Sequence, residues 1–368
     1  PQECTSLIAP GSSVTFTLGS MTLTSARTYT LEARTVNPTD TNPANDTITR
    51  IVNVPLNGTY TIGGSSPSYS RISSAITALT TYGVSGPVTF QMRPQTDSVR
   101  VTIPAIAGAS ATNTITFISV VSSSSSVSND SNTVVLFFPS TDTLSTPNAV
   151  ITLDGADYIT FRRITIQRTG SRAYGRLVDF KNFACYNTIT NCRLIGSSQQ
   201  QVANSLSAIL YSSGSASSND SGTTISNNRF EYGSIGIYFN GISTASPESG
   251  VQITNNRFVD QFAGGIDMTC HANLIISGNT ITSGTFYYSA TGIKLDRSIR
   301  EHRIFKNIIN GNFAKGLSLT DCSGINTRPG IVYNNFIQAT DSFGLRLTNG
   351  FYQDLIYNSV NMAGTNYG

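Results

Sequence analysis

Charged residues are scarce in this chain, and several features that mark common protein classes are missing from it. Only 12% of the 368 residues are charged and the net charge is +3, so the sequence offers no strong positive field for nucleic acid. No run of eighteen apolar residues occurs, and no segment is therefore predicted to insert into a membrane. Tryptophan is absent, and with it the Trp-Asp signature of one class of propeller.

The second half of the chain contains a degenerate repeat. Ile225-Ser-Asn-Asn-Arg-Phe230 recurs as Ile253-Thr-Asn-Asn-Arg-Phe258, and looser copies follow. Cys192 takes the position of the second Asn in an earlier copy, and a Gly followed by alternating apolar residues comes after most copies. Each unit therefore holds two or three short strands. The second Asn marks a series at intervals of 23 or 28 residues: Asn228, Asn256, Asn279, Asn307, Asn335 and Asn358.

A period of this length indicates a solenoid, a propeller or an array, and strand-type alternation without a helical period favours a parallel β-helix. Its rungs stack about 4.8 Å apart, so one repeat position becomes a column of side chains. Because Asn is depleted in strands, we expect the Asn series at a bend, where Asn tolerates unusual backbone angles and bonds to the next rung. An apolar column is predicted beside it: Phe230, Phe258, Ile281, Ile309, Ile337 and Val360.

The Asn-rich turn followed by Gly-Ile-x-Leu resembles the repeat of the pectate-lyase-like superfamily. Gly58-Thr-Tyr-Thr-Ile-Gly63 and Gly86-Pro-Val-Thr-Phe90 resemble the start of β-helix domains in large secreted surface proteins of Bacteroidota. The resemblance covers residues 57 to 368. It implies an all-β, right-handed parallel β-helix, as does the general chirality of parallel crossovers, and an extracellular or cell-surface location with export by the type IX system.

Residues 1–55 are predicted to form a separate module, a partial Ig-like β-sandwich with strands at 14–18, 29–33 and 48–54. The β-helix is predicted over 56–368. An amphipathic helix at about 70–81 is expected to cap its first rung, because a solenoid end exposes an unpaired edge. The chain opens at Pro1 without a signal region and stops at Gly368, ten residues after Asn358, so we expect a piece of a longer protein, truncated within the solenoid.

The candidate catalytic residues are Asp267, Lys294 and Asp296, on the outward positions of the Gly-Ile strands. A carboxylate pair beside a cation is the minimum for acid/base work on a sugar, although a solvated salt bridge explains the same pattern. The polygalacturonase motifs Gly-His-Gly and Arg-Ile-Lys are absent, which favours the salt bridge. Neither His271 nor His302 is predicted to be catalytic, because Glu301 is the only acidic neighbour in register.

A second candidate is a ligand-binding stripe formed by Arg193, Arg229 and Arg257, which follow the marker position on three successive rungs. Such a stripe would grip an anionic polysaccharide by bidentate contacts, and it would be an ordinary solvated column if Glu231 and Asp260 neutralise it. The five cysteines lack a metal-binding Cys-x-x-Cys pair. We expect Cys270 and Cys322 to be free, whereas Cys185 and Cys192 could bridge a turn.

Further predictions concern modification, ions and loops. Thr47, Ser98 and Thr143 lie in Asp-Ser/Thr-apolar triplets, which the family resemblance makes candidates for O-glycosylation. The turn 37–46 has the composition of a weak Ca²⁺ site, although ordinary turn chemistry explains it better, and no metal or other cofactor is expected. The Ser-rich stretches 121–130, 197–201 and 212–222 are predicted to be flexible loops.

The function predicted from these features is non-enzymatic: a stiff stalk, adhesin or binding module of a secreted or surface protein. Its predicted partners are a polysaccharide or other surface proteins of the same assembly. The alternative is a polysaccharide lyase or glycoside hydrolase that acts through the Asp267 face.

Overall fold

The computed structural model describes residues 8–17, 19–37, 39, 41–120, 133–139, 148–170, 175–198, 207–213 and 220–364. The chain divides into two compact units, Pro1–Pro55 and Leu56–Gly368. In the first unit β1 (Arg27–Arg34) and β2 (Thr47–Val54) pair in antiparallel fashion, with a 3₁₀ turn at Pro43–Asn45 between them. The prediction of a strand at 14–18 is wrong for residues 14–17, which do not belong to a strand.

The second unit is a coil whose named strands pair in parallel and form three columns, one strand above another. The first column is a sheet of eleven strands: β3 (Leu56–Ile62), β4 (Val84–Met92), β7 (Ile115–Ser119), β10 (Ile159–Arg162), β13 (Thr188–Thr190), β16 (Thr224–Ser226), β20 (Gln252–Thr254), β24 (Ile275–Ser277), β26 (Arg303–Phe305), β28 (Gly330–Tyr333) and β31 (Gln353–Ile356).

The second and third columns belong to one sheet, because two long strands run through both. The second column contains β5 (Gln95–Ser98), β8 (Val134–Pro139), β11 (Thr165–Thr169), β14 (Arg193–Ile195), β17 (Arg229–Glu231), β21 (Arg257–Val259), β25 (Thr280–Asp296), β27 (Ile308–Thr320), β29 (Phe336–Ala339) and β32 (Ser359–Met362). The third contains β6 (Val101–Pro104), β9 (Ala149–Asp154), β12 (Arg176–Lys181), β15 (Leu210–Ser212), β18 (Ile235–Asn240), β22 (Gly264–Thr269), the later parts of β25 and β27, and β30 (Phe343–Thr348). A small parallel pair, β19 (Glu248–Ser249) and β23 (His271–Ala272), lies outside them. The predicted all-β parallel β-helix is confirmed.

The predicted capping helix is present as α1 (Ile72–Tyr82). Its apolar face, which includes Ile72, Ile76 and Leu79, is buried against β3 and β6, the first strands of two columns. Gly83 ends the helix with a left-handed φ of 67°, and its N–H donates to the Leu79 carbonyl. The helix therefore covers the edge that the first rung would otherwise leave unpaired. Among the described residues, no helix is long and apolar enough to cross a membrane.

The core is built from stacked apolar positions. Phe90, Phe117 and Phe161 stack along the first column with ring centroids 4.9 and 5.4 Å apart. In the second column the rings of Phe230 and Phe258 stack at 4.4 Å. The predicted apolar column is confirmed, because its members pair rung by rung: Phe230, Phe258, Ile281, Ile309, Ile337 and Val360.

The Asn series forms a buried hydrogen-bonded column. Asn256 donates both its backbone N–H (2.9 Å) and its Nδ2 (3.0 Å) to Oδ1 of Asn279, and its Nδ2 also donates to the Ile225 carbonyl at 2.9 Å. The same pair of bonds to Oδ1 joins Asn228 to Asn256, Asn279 to Asn307, Asn307 to Asn335, and Asn335 to Asn358.

One detail of the prediction for the Asn series is wrong. The left-handed backbone belongs to the residue before each marker, with φ between 53° and 65°, and not to the marker itself. One position therefore turns the chain while the next buries its amide. Asn, Gly, Lys and Tyr all serve at the turning position: Asn191, Asn227, Asn255, Gly278, Lys306, Asn334 and Tyr357.

Part of the region predicted as flexible loop belongs to the coil. Ser212 ends β15, which pairs with β12 and β18, and Asp220 is fully buried. The stretch 121–130 and residues 199–201 and 214–219 of the other two lie outside the described residues.

The described cysteines form no disulfide. Cys270 and Cys322 are free and buried, as predicted. Cys185 and Cys192 are not bridged to each other, and the Cys192 thiol contacts the carbonyls of Phe161 and Thr190. Burial raises the pKa of Cys192 to about 12, which keeps the thiol protonated.

Candidate functional site

The candidate catalytic residues lie on a row of side chains along the third column, which we call the outer ladder. Its members pair rung by rung, and their neighbours Ile266 and Met268 point into the core. Six steps of about 4.8 Å give the row a length of about 29 Å. The outer ladder comprises Asp179, Tyr211, Tyr238, Asp267, Lys294, Ser318 and Arg346.

The structure brings Asp267 and Lys294 together on neighbouring rungs. Lys294 Nζ lies 3.1 and 3.3 Å from the two carboxylate oxygens of Asp267, whose side chain is 17% exposed. Burial raises the pKa of Asp267, and the adjacent ammonium group opposes that shift. Asp296 pairs with Thr269, so it lies diagonally across from Asp267, at about 7–8 Å by sheet geometry, and it forms an ion pair with Arg297 at 3.3 Å. Both candidate carboxylates are therefore paired with a cation.

The outer ladder is more deeply buried at its N-terminal end, which begins with Asp179. Asp179 is fully buried between Arg176 at 3.1 Å and Lys181 at 3.4 Å, and burial raises the pKa of its carboxyl against the effect of both cations. The Arg176 guanidinium lies 3.1 Å above the Tyr211 ring, which stacks on Tyr238 with centroids 5.6 Å apart. Sequence analysis missed Tyr211, because no Gly precedes its strand.

The predicted stripe is in register, since Arg193, Arg229 and Arg257 pair on successive rungs of the second column. Glu231 accepts hydrogen bonds from Arg193 Nη2 at 2.8 Å and from Arg229 Nε. Although burial raises the pKa of Glu231, these two cations lower it below its usual value. Among the described residues, Arg257 forms no ion pair.

The prediction that Glu301 is the only acidic neighbour of a histidine is wrong. Nε2 of His271 lies 3.1 Å from Oδ1 of Asp220, and its Nδ1 lies 2.8 Å from the Thr269 carbonyl. Glu248 accepts from the Asp220 backbone N–H at 3.2 Å, and burial followed by the Asp220 charge raises its pKa to about 7. This cluster is shut off from solvent. Asp220 lies 51 residues before His271, at the end of a Ser-rich stretch, so no local spacing signalled the contact.

His302 and the turn 37–46 make only ordinary hydrogen bonds. His302 Nε2 lies 2.8 Å from Oε1 of Gln353, and burial lowers its pKa. In the turn 37–46, the Asn37 side chain accepts from Thr39, and Asp46 accepts from Thr35. No group of three or more His, Cys, Asp or Glu in the described part of the chain is arranged to hold a metal ion.

The candidate modification sites are only partly described. The side chains of Thr47 and Ser98 are exposed, the first at the start of β2 and the second at the end of β5, whereas Thr143 lies outside the described residues. Their glycosylation stays a prediction.

Comparison with known proteins supports the fold. The family described as "Right handed beta helix region" matches residues 208–367, which contain the repeat. No curated protein matches the sequence. Among solved structures, the GH136 lacto-N-biosidase from Eubacterium ramulus is 9% identical over 83% of this chain and 68% of its own, with a TM-score of 0.48.

Two further solved structures are similar at the same level. The pectin methylesterase from Aspergillus niger is 15% identical, covering 84% of this chain and 87% of its own, with a TM-score of 0.41. The Streptococcus pneumoniae surface protein and adhesin PfbA is 13% identical over 78% of this chain and 97% of its own, with a TM-score of 0.33. Likeness at these identities concerns the fold alone.

Proposed function

We propose that this chain is a non-enzymatic module of a secreted or cell-surface protein, where it acts as a stiff stalk or adhesin. The observation that carries the proposal is the state of the candidate acids. Both oxygens of Asp267 lie within hydrogen-bond distance of Lys294, and Asp296 is paired with Arg297. A general acid or base needs a carboxyl group that is free to reach the substrate, and neither of these is free.

Stiffness follows from the way the rungs are joined. Each interior rung is hydrogen-bonded to a rung on either side. The Asn column, which runs over six consecutive rungs from Asn228 to Asn358, adds side-chain hydrogen bonds between each rung and the next. The stacked rings of Phe90, Phe117 and Phe161 continue this cohesion toward the capped end. Such a rod suits a spacer that holds a binding surface away from a cell, and the repeat resembles those of large exported proteins of Bacteroidota that use the type IX system.

We also propose that the outer ladder is the surface that binds carbohydrate. Its members outside the core, from Tyr211 to Arg346, span about 24 Å, and their hydroxyl groups and charges of both signs suit several units of a polysaccharide. The neighbouring stripe would add Arg257 as an exposed cation, since Glu231 engages the other two arginines. Other surface proteins of the same assembly are the alternative partners.

A second candidate function, a glycoside hydrolase or lyase, is favoured by one observation. Burial raises the pKa of Asp267, as a general acid requires, and Asp296 lies on the next rung at a separation compatible with a pair of catalytic carboxyls.

A glycan-array screen for binding and for degradation tests both functions on the full chain. The double variant D267A/D296A serves as the probe, and D354A, an exposed carboxylate on the first column, serves as the control. Binding without cleavage, weakened at least several-fold by R257A, supports the adhesin. Cleavage of a polysaccharide that the double variant loses and the control keeps would establish the enzyme and overturn the main proposal.

A further inference from the structure

Three ionisable side chains lie together where the chain enters the first column, and none of them reaches solvent. Asp220, Glu248 and His271 are each at most 1% exposed. Glu248 pairs in register with His271, and both side chains contact Asp220, which precedes them in the chain. A buried charge is costly unless an opposite charge neutralises it, so the stability of this cluster depends on how many protons it holds.

Asp220 and His271 form a pair without net charge. Nδ1 of His271 lies 2.8 Å from the Thr269 carbonyl, which can only accept, so this nitrogen carries a hydrogen. Nε2 lies 3.1 Å from Oδ1 of Asp220. Two lone pairs would repel at that distance, so one more proton lies between these atoms. The pair is neutral as a whole, whichever of the two atoms holds that proton.

Glu248 has no cation to balance its charge. Its Oε2 accepts from the Asp220 N–H at 3.2 Å and from Ser221 Oγ at 3.0 Å, and it forms no ion pair within the described part of the chain. The adjoining residues 214–219 have no ionisable side chain. Burial is the main cause that raises the pKa of the nearby Cys185 thiol to about 12, so this group is uncharged as well. An ionised Glu248 would therefore add an unbalanced negative charge to the cluster.

Glu248 also ends a surface loop, residues 241–248, which follows β18. The six residues between the ends of this loop are exposed or half-buried, and they make no backbone hydrogen bond to another part of the described chain. Gly241 and Glu248 donate their N–H groups to the carbonyls of Thr269 and Cys270, at 2.7 and 3.1 Å. A Cβ on Gly241 would lie 3.0 Å from Cγ of Glu248, so the two ends are tightly packed against each other. The loop is thus held only at its ends, and the buried Glu248 side chain is part of that attachment.

We propose that Glu248 is a pH-dependent latch for the loop 241–248: the protonated side chain stays buried and holds the loop closed, whereas the ionised one moves to solvent and the loop opens. The rest of the coil stays folded. Burial, followed by the Asp220 charge, raises the pKa of Glu248 from 4.5 to about 7. The closed loop is therefore fully favoured below pH 4.5, and this preference is lost as pH rises to about 7. The latch does not involve the outer ladder, so it goes beyond the proposed carbohydrate binding and does not depend on it.

Hydrogen exchange of the full chain at pH 5 and pH 8, followed by mass spectrometry, tests the latch. The N–H groups of Gly241, Glu248 and Ser249 report on closure, because opening of the loop breaks their hydrogen bonds. After correction for the intrinsic exchange rate at each pH, we expect their protection to fall by about fiftyfold from pH 5 to pH 8. They should also exchange much faster than the N–H groups of Asn228 and Asn256, which require unfolding of the coil.

Glu248→Gln separates the latch from other effects of pH, because the amide keeps the acceptor for Asp220 and Ser221 but cannot ionise. We expect the protection of the loop ends in this variant to be the same at both pH values. The matched control is Glu301→Gln, which removes a carboxylate that pairs with Arg303 in another turn, and it should keep the wild-type response.

The wild-type profile is a second test, which holds even if the Glu248→Gln variant does not fold. Protection of the loop ends should fall between about pH 4.5 and 7 and stay constant above that range. Equal protection at pH 5 and pH 8, a wild-type response in Glu248→Gln, or exchange of the loop ends only together with the coil would overturn the proposal.

Discussion

The solenoid buries polar side chains both in its Asn column and at Arg168 on β11, and their hydrogen bonding differs between the two places. Each interior Asn finds its acceptor in the Asn of the next rung, because the residue repeats. Arg168 occurs once, stands beside Phe138, and has no acceptor among the described residues. Repetition therefore supplies each buried Asn with a partner from its own column, whereas Arg168 has no such column.

The largest expected effect comes from removing one link of the Asn column. Asn279→Ala would leave the backbone N–H of Asn256 and one of its two Nδ2 hydrogens buried without an acceptor, and it would remove the bond to the Ile253 carbonyl. Each unsatisfied group costs on the order of 1–3 kcal/mol, so we expect a loss of at least about 3 kcal/mol in the free energy of unfolding. Urea denaturation followed by circular dichroism measures it.

The control for that variant is Asn255→Gly, at the turning position on the preceding rung. Asn255 is exposed and has a φ of 56°, a conformation that glycine adopts freely, so the change should cost less than about 0.5 kcal/mol. Equal losses in the two variants would remove the distinction between a turning residue and a bonded column.

An intermediate case is the buried cluster of Asp220, Glu248 and His271. Its hydrogen-bonding groups are only partly paired, since Oδ2 of Asp220 has no hydrogen-bond donor among the described residues. The pKa of Glu248 is raised from 4.5 to about 7, so between these values the folded state binds more protons than the unfolded state. Its contribution to stability therefore falls as pH rises from about 4.5 to 7, by on the order of 2 kcal/mol.

Glu248→Gln isolates this contribution, because the amide oxygen still accepts from Asp220 and Ser221 but carries no charge. We expect the variant to gain stability over the wild type as pH rises through that window, measured by urea unfolding at pH 4.5 and 7.5. Parallel pH profiles for the two proteins would mean that the carboxyl group titrates normally.

Arg168→Met tests the other side of the comparison through stability alone. A methionine fills similar apolar space without a buried unpaired charge, so the free energy of unfolding should be unchanged or rise by about 1 kcal/mol. A loss of more than about 1 kcal/mol by urea denaturation would place Arg168 with the Asn column as a residue of the fold.

The repeat predicted the columns correctly because stacking converts a period in sequence into a line in space. The register of Phe230 with Phe258 and of Asp267 with Lys294 follows from that rule alone. Contacts made by residues that do not repeat were not predictable. Asp220 reaches His271 across 51 residues, and the solitary Arg168 carries no signal in its local sequence.

The smallest expected effect on stability comes from the ion pair between Asp267 and Lys294, which is partly exposed at the surface. Lys294→Met breaks the ion pair with Asp267, and we expect a change of less than about 0.5 kcal/mol because the lysine is 44% exposed. The pKa of Asp267 should nevertheless rise further above its usual value, since burial already raises it and Lys294 is the main influence that lowers it. An NMR titration of the Asp267 carboxyl carbon measures this shift, with Lys315→Met, on the neighbouring strand β27, as the control. If the titration midpoint does not move, the ammonium group is not what holds Asp267 in its charged form, and the carboxyl group would be available for the acid/base role of the alternative function.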